Sequence, residues 1–489
     1  MVGLPSHVAK VLPKHFSLYY GGAWHEPETP EAYLDTYNPG TGEVITRVAQ
    51  ATAADAEAAI KAAHAAFPAW RDVHPATRAE LLRKAASIVR SHAKELAMLD
   101  AANTGNPVNM MVPDALTAAN ALDYFAGLIP MVKGETIPQA SDAFHYTLRE
   151  PRGVVVRLVA YNHPAMFTAQ KLAAPLAAGN TVIMKPPVQA PLSALYLAEI
   201  LEGVFPPGVL SFLPGGLDAS VTLSTHPLVS MVTLIGSVAT GKAVYKGAAD
   251  TLKPVIFELG GKNAFVAYPD ADIDKLVEGV TKGMNFSWAG QSCGSTSRVF
   301  LHESIHDEVL ARVAAQVKKQ FVPGDPLDDK TTMGPVISRV ALDRVKGFCE
   351  DALAEGARLV TGGKQPTHLT GFFFEPTIFA DLKPHMRLAR EEVFGPIMGV
   401  FKWKDEDELF KVVNDTDYGL TACVFTQNLA TAHRAVKKFE VGYVWVNRVA
   451  LHYVNVPFGG YKQSGLGREE CLDELLAFTQ IKSVNMSID

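Results

Sequence analysis

The sequence predicts an α/β protein built around a doubly wound parallel sheet. Short, continuously apolar runs rich in β-branched residues begin at residues 153, 180, 208, 231 and 254. The segments between them look helical, so the runs recur at spacings of roughly 25 residues. Uninterrupted apolar strands that alternate with helices indicate a parallel sheet covered on both faces. Such a sheet binds nucleotides and other ligands at the carboxyl ends of its strands.

The helical segments carry their own start and stop signals. Residues 52–70 open with capping residues and continue with alanine-rich helix formers, and a second helical stretch is expected over about residues 78–99. Residues 163–179 have a proline suited to a first helical turn and end on a glycine, and residues 190–204 follow the same plan. From about residue 260 a second strand-and-helix series runs to residue 446, which predicts a second α/β domain.

These elements suggest a division into domains. We expect a dinucleotide-binding domain from residues 1–130 and 152–258, a catalytic domain from residues 259–447, and a small β arm from residues 131–151 and 470–489. The first arm segment could form a hairpin, and the final strand could pair with such an arm from another subunit. Because unpaired sheet edges need a partner, we expect a homodimer or homotetramer.

Composition restricts the class of protein. The chain has 489 residues, of which 48% are apolar and 20% charged, which is ample material for a large core. A net charge of -6 with scattered lysines and arginines argues against a nucleic-acid partner. Neither a signal peptide nor a membrane-spanning run is visible, so we expect a cytoplasmic protein without a membrane partner. The four cysteines show no C-x-x-C pair or zinc-type spacing, so no metal site is expected.

Two glycine-bearing turns are candidates for binding a phosphate. No G-x-G-x-x-G follows any of the strands. Gly215 in "LPGGLDAS", and Gly236 with Ser237 in "LIGSVATG", lie at strand-to-helix turns where backbone amides could face a pyrophosphate. The alternative, left open at this point, is that these glycines only permit tight turns.

Cys293 is the candidate nucleophile. It lies in "AGQSCGSTS", among small residues that would let a substrate approach closely. A cysteine attacks as the thiolate, so it needs exposure and a group that lowers its pKa or accepts its proton. The other three cysteines are expected to be small buried apolar residues.

Two polar residues at strand ends could assist that thiol. Glu258 ends an otherwise apolar strand, where burial would raise its pKa and suit it to act as a general base on water. Asn162 ends the first parallel strand, where its amide could donate to a developing oxyanion. The alternatives are a structural ion pair for Glu258 and an ordinary turn for Asn162.

Taken together, these motifs resemble the aldehyde dehydrogenase superfamily from about residue 20 to the carboxyl terminus. The blocks that carry the resemblance occur in the family's order and spacing. They are "AYNHP", "LAAGNTVIMKP", "LIGSVATG", "FELGGKN", "GQSCGSTSR", "EEVFGPI" and "NVPFGGYKQSGLGRE". The resemblance implies a Rossmann-like cofactor domain that binds the dinucleotide without the usual glycine fingerprint.

The resemblance also implies a reaction, the NAD(P)-dependent oxidation of an aldehyde to a carboxylic acid. Cys293 matches the nucleophile that forms a thiohemiacetal, which is then oxidised to a thioester. Asn162 and the backbone N–H of Cys293 match the groups that hold the oxygen. Glu258 matches the base that activates the hydrolytic water, and Lys171 with Glu469 match polar positions that could relay protons.

The expected cofactor is NAD. NADP stays open, because Val188 stands where many NAD-preferring members have a glutamate that reaches the ribose hydroxyls. The resemblance assigns the adenosine ribose to Lys185, the pyrophosphate to Gly236 and Ser237, and the nicotinamide ribose to Glu392 and Phe394.

The substrate is predicted less directly. Positions that match the family's substrate pocket include His163, Gln170, Arg448, His452 and Phe458. Several are apolar in relatives that oxidise aliphatic aldehydes, whereas most of these side chains can form hydrogen bonds. We therefore expect an aldehyde with a polar or anionic group, such as a semialdehyde or a hydroxylated aromatic. If these side chains face away from the channel, a plain aliphatic aldehyde dehydrogenase of broad specificity is the alternative.

Three rival functions are less favoured. A cysteine hydrolase or esterase of the papain type would need a second cysteine where this chain has Thr296. Acyl transfer to coenzyme A is typical of members that lack the base, so Glu258 argues against it. A catalytically silent relative would not need Cys293, Asn162 and Glu258 together.

Overall fold

Two mixed sheets, each covered by helices, form the framework of the protein, and a computed structural model describes residues 4–139 and 141–488. The predicted α/β class is therefore confirmed. The amino-terminal elements are α1 (Ser6–Ala9), β1 (Leu18–Tyr20), β2 (Ala23–His25), β3 (Tyr33–Asn38), β4 (Glu43–Ala49), α2 (Ala53–Arg71), α3 (Pro75–Ser91), α4 (Ala93–Thr104) and α5 (Val108–Leu128).

The amino-terminal helices largely follow the sequence signals. Helix α2 begins with a capping box, in which the Thr52 hydroxyl accepts from the backbone N–H of Asp55 and the Asp55 carboxylate accepts from that of Thr52. The stretch predicted as one helix over residues 78–99 is two helices, α3 and α4. They separate at His92, which leaves the helical conformation and places its ring Nδ1 2.9 Å from the carbonyl oxygen of Ile88.

The predicted strand-and-helix alternation is present after residue 152. Helix α6 begins with a proline and ends at Gly179, whose φ of 93° is left-handed, as both end signals predicted. The elements are β5 (Ala143–Pro151), β6 (Val154–Leu158), α6 (Pro164–Ala178), β7 (Thr181–Lys185), α7 (Leu192–Ile200), β8 (Leu210–Phe212), α8 (Leu217–Thr225), β9 (Val229–Ile235), α9 (Val238–Ala249) and β10 (Val255–Glu258).

A second series follows, and short strands and one helix lead to the carboxyl end. The second series is β11 (Ala264–Ala267), α10 (Ile273–Gly283), β12 (Arg298–His302), α11 (His306–Gln320), α12 (Arg339–Ala354), β13 (Arg358–Thr361), β14 (Thr377–Ala380), α13 (Arg387–Arg390), β15 (Ile397–Trp403), α14 (Glu406–Asn414), β16 (Tyr418–Gly419), β17 (Thr421–Phe425), α15 (Leu429–Lys438) and β18 (Tyr443–Val446). The last elements are β19 (Tyr461–Lys462), β20 (Gly465–Leu466), α16 (Leu472–Ala477) and β21 (Thr479–Ser487).

The first sheet has the strand order β2-β1-β8-β7-β6-β9-β10-β20. Its five central strands are parallel, and the flanking strands β1 and β20 are antiparallel to their neighbours. Every residue of β6 and β7 is buried, as expected for strands covered on both faces. Strand order changes direction at β6, so the carboxyl ends of β6 and β9 flank the switch point where such sheets bind ligands.

The second sheet has the order β13-β14-β15-β12-β11-β17-β18 and is parallel except for β13. Its core cluster is drawn from residues 264–458. The buried clusters around the first sheet are drawn from residues 8–259, together with Leu475 and Phe478. The segment that joins β10 to β11 therefore connects two separately packed layers.

The arm differs from the sequence expectation in two respects. Strand β21, which we expected could pair with an arm from another subunit, pairs antiparallel with β5 of its own chain along its whole length. Near its middle, β5 is also bridged to Thr136, as a hairpin would require. Residues 470–478, assigned to the arm from sequence, instead place Leu475 and Phe478 in the core beside the first sheet.

A buried ionic network ties this carboxyl-terminal segment to the first sheet. Arg157, in the middle of β6, is almost fully buried and places Nη2 3.0 Å from the Glu474 carboxylate. The same nitrogen lies 3.7 Å from Glu469, which accepts a hydrogen bond of 3.0 Å from Lys171. Burial and the neighbouring Glu469 raise the pKa of Glu474, whereas Lys171 and Arg157 favour its charged form. The network holds two carboxylates in the interior only because two cations face them.

We expect Arg157→Met to lower the free energy of unfolding by about 3–5 kcal/mol, because it leaves two buried carboxylates with a single cation. Urea unfolding at a fixed protein concentration measures the change. The double variant Arg157→Met/Glu474→Met removes the pair together and should recover most of the loss. Equal unfolding midpoints for the single variant and the wild type would show that the network has no such role.

Candidate active site

Two cavities meet at Cys293 and Glu258, which line both of them. One has a volume of about 300 Å³ and lies among α5, α6 and the segments around residues 285–294 and 445–470. The other has a volume of about 850 Å³ and follows the carboxyl ends of β6, β7 and β9. A group bound in either cavity therefore reaches the same thiol and the same carboxyl.

The loop that carries Cys293 is fixed by its backbone. Asn263, at the start of β11, donates from Nδ2 to the carbonyl oxygens of Cys293, at 2.6 Å, and Ser295, at 3.0 Å. A Cβ on Gly261 would lie 2.8 Å from the Cys293 carbonyl oxygen, so only glycine lets the two segments approach. The motif "FELGGKN" thus positions the cysteine loop in addition to supplying Glu258.

Glu258 ends β10 and lies beside the Cys293 thiol. Burial raises the pKa of Glu258 to about 8, although its interaction with the thiol opposes that shift. Burial and the nearby Glu258 charge raise the pKa of Cys293 well above its usual value. Since Glu258 Oε1 is buried without a hydrogen-bond partner, this carboxyl is available to take a proton from the thiol or from a water.

Asn162 lies in the turn between β6 and α6. Asn106 donates a hydrogen bond of 2.8 Å from Nδ2 to the backbone carbonyl oxygen of Asn162, which anchors the turn. The side chain of Asn162 lines the larger cavity together with Cys293, and its Oδ1 is buried without a hydrogen-bond partner. The Asn162 side chain therefore faces the same space as the Cys293 thiol, where an amide nitrogen can donate to an oxygen of a bound ligand.

The larger cavity offers several kinds of group to a dinucleotide. Burial lowers the pKa of Lys185 to about 8, and its Nζ makes one long hydrogen bond of 3.3 Å, to the Pro186 carbonyl. Ser237 is the N-cap of α9, so the helix N-terminus lies in the wall of the cavity, a position that favours a phosphate. Gly236 and Val188 line the same wall.

Glu392 and Phe394 also line the larger cavity. Burial raises the pKa of Glu392 to about 7, and its carboxylate accepts from the backbone N–H of Gly261 at 2.9 Å. Phe394 has a φ of 52° and packs edge-on against Tyr161, with ring centroids 5.8 Å apart. The larger cavity thus combines the Lys185 ammonium, the N-terminus of α9 and the Glu392 carboxyl. A helix N-terminus suits a pyrophosphate, and an ammonium and a carboxyl can bind ribose hydroxyls.

Gly215 is not part of this cavity, contrary to the sequence expectation. It is buried, and its backbone bridges to Ala51. A Cβ at this position would lie 2.8 Å from Ala219 Cβ. Packing against α8 and residue 51 therefore explains this glycine, as the alternative reading of the turn allowed.

The smaller cavity has aromatic and polar walls. Four of the five predicted substrate residues line it, and Arg448 does not. Arg448 is exposed, and its guanidinium lies 5.3 Å from the ring centroid of Tyr453. The predicted residues that line the cavity are His163, Gln170, His452 and Phe458, and the other aromatic lining residues are Tyr124, Phe125, Phe167, Trp288 and Trp445.

Lys171 and Glu469 lie at one end of the same cavity. Burial alone would lower the pKa of Lys171, but Glu469, Glu474 and Glu470 raise it. The ammonium is therefore charged and bonded to Glu469. Glu470 accepts from His452, whose Nδ1 lies 3.2 Å from its Oε2.

Sequence reasoning missed three residues of the site, namely Asn263, Asn106 and Asp114. Asp114 pairs with His163 at 2.6 Å, and the other two hold the backbones of Cys293 and Asn162. Asn263 could have been identified from the sequence, because it is a polar residue that lies between the two glycines of "FELGGKN" and a buried strand. Asp114 and Asn106 lie far from their partners in sequence, so no local pattern could identify them.

The profile of the "Aldehyde dehydrogenase family" matches residues 24–484. The chain is 56% identical to aldehyde dehydrogenase tropH of Talaromyces stipitatus over 98% of this chain and 95% of that protein. It is 43% identical to the betaine aldehyde dehydrogenase of Cereibacter sphaeroides over 91% of this chain and 92% of that one.

Solved structures share the fold. The NAD⁺ complex of an aldehyde dehydrogenase from Bacillus cereus superposes with a TM-score of 0.96 at 34% identity, over 100% of this chain and 99% of that one. Betaine aldehyde dehydrogenase from Staphylococcus aureus, also in complex with NAD⁺, gives a TM-score of 0.96 at 34% identity over 99% and 97% of the two chains.

Proposed function

Since the chain belongs to the aldehyde dehydrogenase family, we propose that it oxidises an uncharged aromatic aldehyde to the carboxylic acid through a thioester on Cys293. The observation that carries the proposal is the meeting of the two cavities at Cys293 and Glu258. The smaller cavity would hold the aldehyde, and the larger one the cofactor.

The first half of the proposed reaction joins the aldehyde to the protein. Glu258 accepts the Cys293 proton, and the thiolate attacks the aldehyde carbon to give a thiohemiacetal. The Asn162 amide and the backbone N–H of Cys293 donate to the oxygen, which carries negative charge as the bond forms. An oxyanion donor of this kind contributes about 2.7–4 kcal/mol to the stabilisation of the transition state.

The cofactor of the proposed reaction is NAD, with NADP as the alternative. It would lie along the cleft between Lys185, the N-terminus of α9 at Ser237, and the pair Glu392 and Phe394. When bound, NAD supplies the acceptor for the hydride whose loss turns the thiohemiacetal into a thioester. The lowered pKa of Lys185 leaves part of its population neutral near pH 8, and a 2'-phosphate would favour the charged form.

The second half of the reaction releases the acid. In its ionised form Glu258 takes a proton from a water that attacks the thioester carbon, and the Cys293 thiolate leaves. Protons gained by Glu258 would pass toward Lys171 and Glu469 at the end of the substrate cavity. The charges of Glu469 and Lys171 both act on Glu258, which supports a proton path between the three groups.

The charge of the substrate cavity favours an uncharged aldehyde over a semialdehyde. Among the described residues that line it, Lys171 is the single lysine or arginine, and Glu469 already pairs with it. Glu258, Glu470 and Asp114 line the same cavity. A substrate carboxylate would enter an acid-rich site that has no free cation, because Arg448 lies outside the cavity. No ion pair would then offset the free-energy cost of desolvating the carboxylate. The aromatic walls suit a flat ring.

Homo-oligomerisation is a further part of the proposal. The β5–β21 arm leaves Phe144 and Leu148 of β5 exposed on one face, and Met486 of β21 is the cross-strand neighbour of Phe144. An exposed apolar face on a two-stranded sheet favours association with another chain. In the part of the chain that is described, no helix is long and apolar enough to cross a membrane. Location in the cytoplasm stays a proposal from the sequence.

A panel of aldehydes tests this function. We expect purified protein to reduce NAD faster with benzaldehyde than with hexanal, and at least about tenfold faster than with succinic semialdehyde, since the carboxylate finds no cation. Betaine aldehyde belongs in the panel, because an acid-rich aromatic pocket also suits a quaternary ammonium group. Preference for succinic semialdehyde would overturn the charge argument, and absence of NAD or NADP reduction with every aldehyde would overturn the proposed function.

A further inference from the structure

A histidine–carboxylate pair forms part of the substrate cavity wall next to the proposed oxyanion donor. His163 follows Asn162 directly and precedes the first turn of α6. Its Nδ1 lies 2.6 Å from Oδ2 of Asp114 on α5, and both side chains are largely buried. Both residues line the smaller cavity. This pair belongs neither to the proton path nor to the cofactor cleft.

The contact with Asp114 fixes the chemistry of the other ring nitrogen. A carboxylate accepts hydrogen bonds and donates none, so the proton of the neutral imidazole lies on Nδ1. Nε2 is then a hydrogen-bond acceptor. Among the described residues, Nε2 makes no hydrogen bond. Unlike the fully buried polar atoms that lack a partner, it keeps some accessible surface. Nε2 therefore faces the cavity and is open to a ligand.

The surroundings of His163 suit a ring-shaped ligand. Phe167 and Trp288 each place a ring centroid 5.3 Å from that of His163. Phe125 and Phe458 add further apolar surface to the cavity. A flat aromatic ring would pack between these walls, and the Nε2 acceptor would meet the edge of that ring.

We propose that the His163–Asp114 pair is a specificity determinant that accepts a hydrogen bond from a hydroxyl group on the ring of the aldehyde. The inference rests on the proposed function and narrows its substrate class to hydroxylated aromatic aldehydes. The hydroxyl donates to Nε2 of His163, whose Nδ1–H donates to Asp114. No proton is transferred in the resting complex, so the pair acts on substrate binding and orientation.

The same geometry rejects close analogues. A methyl ether has no proton to donate, and it brings two acceptors together at Nε2. An unsubstituted ring leaves Nε2 without a donor inside the occupied cavity, and a site built around a hydrogen bond discriminates against a ligand that lacks it. For one neutral hydrogen bond we expect a preference of about tenfold in kcat/KM.

The test compares hydroxybenzaldehydes with their methoxy counterparts and with benzaldehyde, at each ring position and with NAD. The wild type should turn over at least one hydroxy isomer about tenfold faster, as kcat/KM, than the matching methoxy isomer and benzaldehyde. His163→Phe keeps the aromatic packing and removes the acceptor. This variant should lower that ratio to about one, because the hydroxyl no longer finds an acceptor.

Two further variants sharpen the result. Asp114→Asn no longer fixes the imidazole proton on Nδ1, so the ratio of kcat/KM for the hydroxy isomer to that for the methoxy isomer should fall. His452→Phe removes the other histidine–carboxylate pair of the cavity, at its exposed side, and should leave the preference within about twofold.

Several outcomes would overturn the inference. One is a wild type that prefers the methoxy or unsubstituted ring at every position, and another is a His163→Phe variant that keeps the hydroxyl preference. Loss of the preference in His452→Phe alone would move the role to the other pair. Failure of every aldehyde with the wild type would instead remove the proposed function on which the inference rests, and the benzaldehyde control separates the two cases.

Discussion

Replacement of Cys293 by alanine should abolish aldehyde oxidation, with a loss of at least about 10⁴-fold in kcat. The thiol is the one group at the junction of both cavities that can form a bond to the aldehyde carbon. Asn162, Glu258 and the cofactor cleft would remain, but each acts on an intermediate that no longer forms. Absorbance of the reduced nicotinamide, followed with benzaldehyde and NAD, measures the loss.

Cys349→Ala provides the matched control. Cys349 is a buried cysteine of α12 and packs in the core beside the second sheet. Its removal shortens one apolar side chain away from both cavities, so we expect activity within about twofold of the wild type. If Cys293→Ala kept more than a tenth of the wild-type rate, the covalent mechanism would be wrong.

Replacement of Glu258 by glutamine should separate the two halves of the reaction. The amide cannot accept a proton, so the thioester would form and then persist. We expect a burst of reduced nicotinamide that approaches one equivalent per active site, followed by a steady rate lower by about 10²–10⁴-fold. The burst should be slower than the first wild-type turnover, because Glu258 also accepts the Cys293 proton. Rapid-mixing absorbance resolves both phases.

The pH dependence provides an independent check on Glu258. Only its ionised form acts as a base, and burial raises its pKa from the ordinary value of 4.5 to about 8. The steady rate of the wild type should therefore rise with pH between about 7 and 9 and then level off. In Glu258→Gln this rise should disappear from the slow phase. A wild-type profile that is flat from pH 6 to pH 9 would contradict the assignment.

The sequence predicts the sheet framework because its signals are local. The buried strands β6, β7 and β9 are continuous apolar runs, and α6 has a proline at its start and a glycine at its end. Local sequence signals do not predict the role of a residue whose surroundings come from other segments of the chain. Gly215 has the sequence of a phosphate-binding turn, but Ala51 and Ala219 pack closely against the position that its Cβ would take.

The direction of a side chain in a loop is the second feature that the sequence does not predict. Arg448 follows β18 in a stretch where Asn447 and Ala450 have positive φ, so its direction depends on backbone conformations that no periodicity reports. The same limit applies to Asp114, which lies 49 positions before His163 in the sequence and meets it only after α5 and α6 have packed together. Residue types indicated the chemistry of the site, and packing determined which of them could take part.

Isolation of the acyl-enzyme is the decisive test of the proposed thioester on Cys293. Glu258→Gln is incubated with benzaldehyde and NAD, quenched in acid, digested and analysed by peptide mass spectrometry. We expect the peptide containing Cys293 to gain the mass of the aldehyde less two hydrogens. An unmodified Cys293 peptide after a full burst, or an adduct on Cys349, Cys423 or Cys471 instead, would contradict it.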